Sequence, residues 1–368
     1  MAESIEKTKT HTYHCSKPLL FVSGLSIERL DIAYETYGKL NAQKNNAILV
    51  LHALSGDAHA AGISESGDKV GWWDELIGPG KPLDTERYFV ICSNILGSCY
   101  GTTGPSSLDP KTDRAYGLDF PVLTVRDMVN AQKRLVEALG VNELYAVIGG
   151  SLGGMQALEW SLLYPEMVKS AIVIAATAKM TSQNIAFNEI GRQAILNDPF
   201  FHDGAYYDKP TKPDQGLGIA RMVAHITYLS EESMDIKFGR DLRKGKYMFD
   251  LKHIDFEVQS YLHYQGNKFV QRFDANSYLY ITKAMDYFDV TYELTQFHSD
   301  TKFLVLSFSS DWLFSDSQSL ELVNALRRNR NAVSYVNLPS REGHDSFLLN
   351  FTTQGEVIAN FLAGVKIA

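Results

Sequence analysis

The sequence predicts an α/β fold: a mostly parallel central sheet with helices on both faces, interrupted once by an inserted helical lid. Three observations carry this. Apolar runs at 47–51 and 144–148 and strand-like, apolar-rich segments at 168–175 and 301–308 recur, as expected of strands buried on both faces. Stretches with helical character, 124–139 and 155–163, stand between them, and strands that alternate with helices form parallel sheets. From about Ser182 to Ser299 the strand pattern stops, and helix formers mixed with aromatics and charges take over. The expected division is a core of residues 1–181 and 300–368 and a lid of residues 182–299.

Taken in order, residues 1–17 are polar and predict a loosely held start. Glu28 to Thr36 alternates apolar and polar, as a half-exposed strand does. A polar turn, Gly38 to Asn46, leads into the central strand Ala47–Leu51. A Gly- and Pro-rich loop runs from Trp72 to Pro82, and Tyr88 to Asn94 is the next strand. Residues 97–121 form a long irregular stretch, and loops of that length line a site or meet a partner. Thr124 to Leu139 is a helix with Gly140 as its stop, and it leads into the strand Leu144–Ile148. The next helix, from Met155 to Leu163, ends before Pro165, and Val168 to Ala175 is again a strand. Within the insertion, helices are expected at Gln183–Leu196, Gly216–Tyr228, Phe256–Gln265 and Tyr278–Asp286. A strand at Thr301–Phe308, a helix at Gln318–Arg328, a strand at Ala332–Leu338 and a helix at Gln354–Leu362 close the chain.

Composition excludes several function classes. The chain is 45% hydrophobic and 21% charged, the balance of a soluble globular protein. Its formal net charge of −8 and lack of a Lys/Arg run argue against nucleic-acid binding. No segment approaches the ~20 apolar residues of a membrane span, and Met1 to Thr10 has no apolar signal region, so a cytoplasmic protein is expected. Cys15, Cys92 and Cys99 are scattered, with no C-x-x-C spacing, which supports neither a zinc site nor a disulfide framework. His52 and His59 have no acidic or Cys partner at ligand spacing, so no metal is expected.

The chemistry is concentrated in Gly149-Gly150-Ser151-Leu152-Gly153-Gly154, between a predicted strand and a predicted helix. Gly149, Ser151 and Gly153 fit the G-x-S-x-G nucleophile elbow, in which a strained turn exposes the Ser and small neighbours let strand and helix approach. A phosphate loop fits poorly, because no Lys stands beside the glycines. A Ser hydroxyl needs a base, and the base an orienting carboxylate. Asp311 follows the strand 301–308 and His344 follows the last strand, so the order Ser, Asp, His and the strand-end placement match that need. Asp311 read alone is equally a helix cap, as is Asp316. The stretch His52-Ala-Leu-Ser-Gly56 lies where an oxyanion loop belongs. The backbone N–H of Leu54 and that of Leu152 are the candidate donors, against the plainer reading of a turn after a strand.

Several further stretches add a resemblance. Gly149 to Trp160, Thr227-Tyr-Leu-Ser230, Phe238-Gly-Arg240, Phe256 to Leu262, Arg272-Phe-Asp-Ala-Asn-Ser-Tyr-Leu-Tyr280 and Gly343-His-Asp-Ser-Phe347 are similar to the homoserine O-acetyltransferase family of the α/β-hydrolase superfamily. The likeness runs from about Pro18 to Asn360, and the Arg272–Tyr280 stretch is its most specific part. It implies a ping-pong reaction. Ser151 takes the acetyl group from acetyl-CoA as co-substrate, with no further cofactor, and L-homoserine then attacks the acyl-enzyme with help from His344. It also implies that Arg221 and Tyr228 hold the homoserine carboxylate, that Asp345 holds its ammonium, and that the protein is a homodimer. Without the resemblance, Arg221 reads as an ordinary solvated helix Arg. The residues leave open a succinyl donor, serine as acceptor, water as acceptor in an esterase, and a non-catalytic binding protein on the same scaffold. The insertion's aromatics, Phe200, Phe201, Tyr206, Tyr207, Phe249, Tyr261, Tyr264, Phe269, Tyr278 and Tyr280, exceed what short lid helices are expected to bury; some are expected over the active site and the remainder in an apolar patch for lid-to-lid pairing, against the plainer reading that they pack on the core.

Overall fold

The computed structural model describes residues 5–365. Its centre is an eight-stranded sheet: β1 (His11–Cys15), β2 (Leu30–Tyr37), β3 (Ala47–Leu51), β4 (Phe89–Ser93), β5 (Leu144–Gly150), β6 (Ser170–Ile174), β7 (Lys302–Phe308) and β8 (Val333–Leu338). The spatial order is β1-β2-β4-β3-β5-β6-β7-β8. The first two pairings, β1 with β2 and β2 with β4, are antiparallel, and every later one is parallel. The fold is therefore the expected α/β class with a mostly parallel sheet.

The apolar runs form central strands because both of their faces are covered. Along β3, Ala47, Leu49 and Leu51 enter the core on one side of the sheet, and Ile48 and Val50 enter the core on the other. On β5, Leu144 and Val147 enter the first core, and Tyr145, Ala146 and Ile148 the second. Each such aliphatic side chain contributes roughly 1.5–3 kcal/mol when fully buried. One face is closed by α1 (Val125–Ala138) and α2 (Leu152–Leu163), the other by α10 (Phe351–Ala363).

The insertion supplies α3 (Ser182–Leu196), α4 (Asp214–Tyr228), α5 (Glu231–Phe238), α6 (Glu257–Val270), α7 (Ala275–Asp286) and the short α8 (Thr291–Leu294), and α9 (Asp316–Arg328) follows β7. Helices α4 and α6 cross closely, for a Cβ on Gly266 would lie 3.0 Å from the carbonyl oxygen of Gly218.

Two expectations are corrected. Residues 11–15 are not loose: they form β1, paired along its length with β2 from His11–Tyr34 to Cys15–Leu30. An edge strand is held by its main-chain ladder, so polar side chains hide it from a hydrophobicity reading. Half of the lid aromatics are buried within the chain. Phe201, Tyr206, Phe269, Tyr278 and Tyr280 are core residues, Tyr207 and Tyr261 are half-buried, and Phe200, Phe249 and Tyr264 are exposed. The irregular loop 97–121 made the difference, because it packs under the lid. Tyr280 meets the Phe120 ring edge-on at 5.6 Å and donates from its hydroxyl to the carbonyls of Leu118 and Phe120.

Candidate active site

Ser151 sits between β5 and α2 with φ 58° and ψ −125°, a conformation that costs roughly 1–3 kcal/mol for a residue with a side chain. Its surroundings enforce the strain. The Ser151 N–H donates to the Ile174 carbonyl at 3.0 Å, and its own carbonyl accepts from Gly154 and Met155 in the first turn of α2. The helix starts at Leu152, directly after the Ser, rather than at Met155. Glycine is a poor helix former, but here a Cβ on Gly153 would stand 2.0 Å from the Leu51 oxygen, and one on Gly149 would stand 2.5 Å from the same oxygen. The glycines are thus a packing requirement of the crossing between α2 and the end of β3.

Asp311 and His344 are brought together from chain positions 33 residues apart, with the carboxylate accepting from His344 Nδ1 at 2.8 Å. The other Asp311 oxygen accepts from the backbone N–H groups of Leu313 and Phe314, at 3.0 and 2.9 Å. Asp311 therefore caps the turn after β7 and orients the imidazole at once. His344 is buried among the Phe314, Phe347 and Tyr228 rings, with centroids at 5.2, 5.4 and 6.1 Å. Ser151 opens onto a narrow cavity of about 50 Å³ that Tyr228 and Phe314 also line, so the rings that flank His344 face the Ser as well. No hydrogen bond joins Ser151 Oγ to His344 in this structure.

Leu54 lines the same cavity, and the backbone N–H groups of Leu54 and Leu152 have no hydrogen-bond acceptor among the described residues. His52 holds the start of this loop. Its Nε2 accepts from the Ile95 N–H at 3.0 Å, so Nδ1 carries the proton and donates to the Ala53 carbonyl at 2.7 Å. Complete burial pushes the His52 pKa down, consistent with that neutral form. At the far end of the loop, His59 pairs with buried Glu35 at 3.1 Å.

The lid residues reach the same place. Arg221 on α4 stacks over the Phe269 and Tyr228 rings at 4.6 and 5.4 Å, and its Nη1 approaches Ser55 Oγ at 3.4 Å. Burial raises the Tyr228 hydroxyl, with Arg221 opposing. Burial also raises the Asp345 carboxyl above its usual range, partly countered by His344 and Arg221. His225, one turn along α4 from Arg221, is pushed down to about 3, first by burial and then by the Arg221 charge, and its Nδ1 meets the Tyr261 hydroxyl at 2.9 Å.

Two contributors escaped the sequence reading as individual residues. Arg272 donates from Nη1 to the Ser55 carbonyl at 2.9 Å and to the Tyr100 hydroxyl at 2.8 Å, and lies over the Phe269 ring at 5.2 Å. Its place at the head of the specific Arg272–Tyr280 stretch was the available signal. Ser55 receives both lid arginines, and nothing local in its sequence marks that. Among the described residues no group of three or more His, Cys, Asp or Glu is placed to hold a metal ion, and no helix is long and apolar enough to cross a membrane.

Known proteins agree with this geometry. The profile of the α/β hydrolase fold matches residues 46–351, so the chain belongs to the α/β-hydrolase family. It is 52% identical to homoserine O-acetyltransferase of Methanobrevibacter ruminantium over 98% of this chain and 74% of that protein. Homoserine O-succinyltransferase of Acidithiobacillus ferrooxidans is also 52% identical, over 99% of this chain and 97% of that one. Within the superfamily, the chain belongs to the homoserine O-acetyltransferase family, in which relatives named for succinyl transfer are equally similar. The crystal structure of homoserine O-acetyltransferase from Bacillus anthracis superposes with a TM-score of 0.92 at 27% identity, covering 99% of this chain and 100% of that one. Esterase E22 superposes with a TM-score of 0.89 at 30% identity, covering 96% of this chain and 100% of that one.

Proposed function

We propose that this protein transfers an acetyl group from acetyl-CoA to the γ-hydroxyl of L-homoserine through an acyl-enzyme on Ser151. In the first half-reaction, His344 Nε2 takes the Ser151 proton as Oγ bonds to the thioester carbon. The carbonyl oxygen becomes an oxyanion held by the N–H groups of Leu54 and Leu152. The C–S bond then breaks, and the imidazolium returns its proton to the thiolate, so CoA leaves as the thiol. In the second, His344 takes the proton of the homoserine hydroxyl, whose oxygen attacks the acyl carbon. The ester bond to Ser151 breaks, and the proton passes to Ser151 Oγ. Asp311 stabilises the imidazolium in both halves.

The observation that carries this reading is the pairing of Arg221 and Asp345 beside the triad. A guanidinium fork held on two aromatic faces suits an α-carboxylate, and a half-buried carboxyl next to His344 suits an α-ammonium. Tyr228, on the same helix as Arg221, lies over the catalytic cavity and is the second group for the carboxylate. Acetyl rather than succinyl transfer is supported by the lining of the cavity beside Ser151. It is built from Leu54, Met180, Phe187, Met285, Leu313 and Phe314 with amide, hydroxyl and small aliphatic side chains, and contains no cation. A succinyl carboxylate there would find amide and hydroxyl groups but no cation to offset the cost of burying its charge.

The reading includes a core of residues 1–181 and 300–368, a lid of residues 182–299, a cytoplasmic location in keeping with three free cysteines, and a homodimer. Exposed Ile219 and Ile226 on α4, with Tyr264 on the neighbouring α6, form the surface for a second copy. The deciding experiment incubates the enzyme with homoserine and either acetyl-CoA or succinyl-CoA and identifies the products by mass spectrometry. O-acetylhomoserine as the main product is expected. O-succinylhomoserine in excess overturns the donor, and free acetate in excess favours the water-using reaction of an esterase.

A further inference from the structure

Beneath the site runs a buried relay that none of the chemical steps uses. Gln156 lies on α2, one turn beyond Leu152, and is fully enclosed. Its Nε2 donates to two carbonyls, those of Leu152 and His52, each at 3.2 Å. Its Oε1 accepts from Gln132 Nε2 at 2.7 Å, and Gln132 Oε1 accepts from Trp160 Nε1 at 2.8 Å. Gln132 and Trp160 are buried as well.

The direction of this relay is set at its far end. An indole N–H is only a donor, so it selects the amide flip in which Gln132 presents its oxygen to Trp160. The Gln132 NH₂ group then faces Gln156 and selects the Gln156 oxygen. Both hydrogens of the Gln156 amide are thereby left for carbonyls. One of those carbonyls belongs to Leu152, the other to the residue that opens the loop 52–56. These are the two segments that carry the two N–H donors of the oxyanion site.

We infer that Gln156 is a positioning residue for the oxyanion hole: one amide group fastens the turn bearing the Leu152 N–H to the loop bearing the Leu54 N–H, and Gln132 with Trp160 locks that amide in its working flip. The inference rests on the oxyanion roles proposed above. Two donors stabilise a developing charge only at a fixed separation from it, and displacements of about 1 Å cost up to ~100-fold in rate. The two segments leave adjacent strands whose ladder ends at the Gly149–Leu51 pair. The two-pronged hydrogen bond of Gln156 carries the tie beyond that end.

The test compares Gln156→Met, which keeps size but has no donors, with Gln132→Met, which removes only the lock. Single-turnover acetylation by acetyl-CoA, steady-state constants, and affinity for a phenylboronic acid are measured well below each variant's Tm. The boronic acid forms a tetrahedral adduct on Ser151. For Gln156→Met, kcat and the acetylation rate should each fall about 10- to 100-fold, with boronate affinity falling in parallel and both KM values within about twofold of wild type. For Gln132→Met a smaller kcat loss, about three- to tenfold, is expected in the same pattern. Should Gln156→Met fail to fold, Gln132→Met decides by itself. A wild-type kcat in the folded variants, or a loss confined to Tm, overturns the inference. A Ser151→Ala control separates the two readings: an active control removes the proposed mechanism, while an inert control beside a fully active Gln156→Met removes only the relay.

Discussion

The regions proposed as core and lid hold their proposed site residues by different forces. In the core, Ser151, Asp311 and His344 are buried and fixed by backbone. Ser151 is tied to β6 through the Ile174 carbonyl, and Asp311 accepts two main-chain N–H groups. In the lid, Arg221 and Arg272 lie against the same Phe269 ring and both reach Ser55, Arg272 with a second bond to Tyr100 and Arg221 with only its long contact to the hydroxyl. A backbone-held group keeps its place with or without substrate. A guanidinium resting on a ring with one long contact to a hydroxyl can exchange that contact for a ligand. Chemistry assigned to the sheet and recognition of the substrate carboxylate assigned to the insertion is the division this difference teaches, with Asp345 on the core side, and it can be broken from either side.

The largest effect is expected at the nucleophile. Ser151→Ala should abolish acyl transfer and leave the fold intact, and intact-mass spectrometry with acetyl-CoA alone should find one acetyl group on the native chain and none on the variant. Equal acetylation of both would remove Ser151 from the chemistry. Next comes Asp311→Asn, which keeps the shape but can present the wrong group to His344. A kcat loss on the order of 10³- to 10⁴-fold is expected, and a loss under tenfold would show that Asp311 serves only its turn.

A lid substitution should behave otherwise. Arg221→Ala should weaken use of homoserine by about 1.5–3 kcal/mol, roughly 10- to 150-fold in kcat/KM, while the first half-reaction is spared. An equal loss in acetylation by acetyl-CoA would erase the distinction between core and lid.

A subtler contrast lies in pH. Hydrogen bonding to Glu35 raises the His59 pKa above its ordinary 6.5, although burial opposes this. For Glu35, burial works upward, but hydrogen bonds from His59 and Thr10 bring the net value below its ordinary 4.5. The raised His59 contributes stability that is fully present below pH 6.5 and is lost as pH rises through its folded value. The depressed Glu35 contributes stability present above pH 4.5 and lost as pH falls through its folded value. The Tm gap between wild type and His59→Gln should therefore be widest between those values and narrow toward pH 8. A gap that is flat with pH would show that the pair acts by shape alone.

The smallest effect on activity is expected at the outer lid face. Ile226→Asp with Tyr264→Asp should halve the mass found by sedimentation equilibrium while leaving homoserine kinetics within about twofold. A wild-type protein that already sediments as one chain would sink the dimer.

Patterns that depend on near neighbours were readable in the sequence. Strands β3, β5, β6 and β7 were visible because a run covered on both faces must be largely apolar. The elbow was visible because sterics admit only small residues around a strained Ser. The order of Ser151, Asp311 and His344 was visible because each follows a strand end. Tertiary structure decided the rest. It made β1 a strand through main-chain pairing that side chains do not advertise, and it buried Tyr280 of the lid against a loop some 160 residues away in sequence. It also started α2 at Leu152, where the approach of Leu51 outweighs the poor helix propensity of glycine. The approach of Arg272 to Ser55, and of Gln156 to His52, spans more than a hundred residues of chain. Such contacts leave no local periodicity, since which carbonyl a side chain meets is settled only when separate strands and helices pack at a common site.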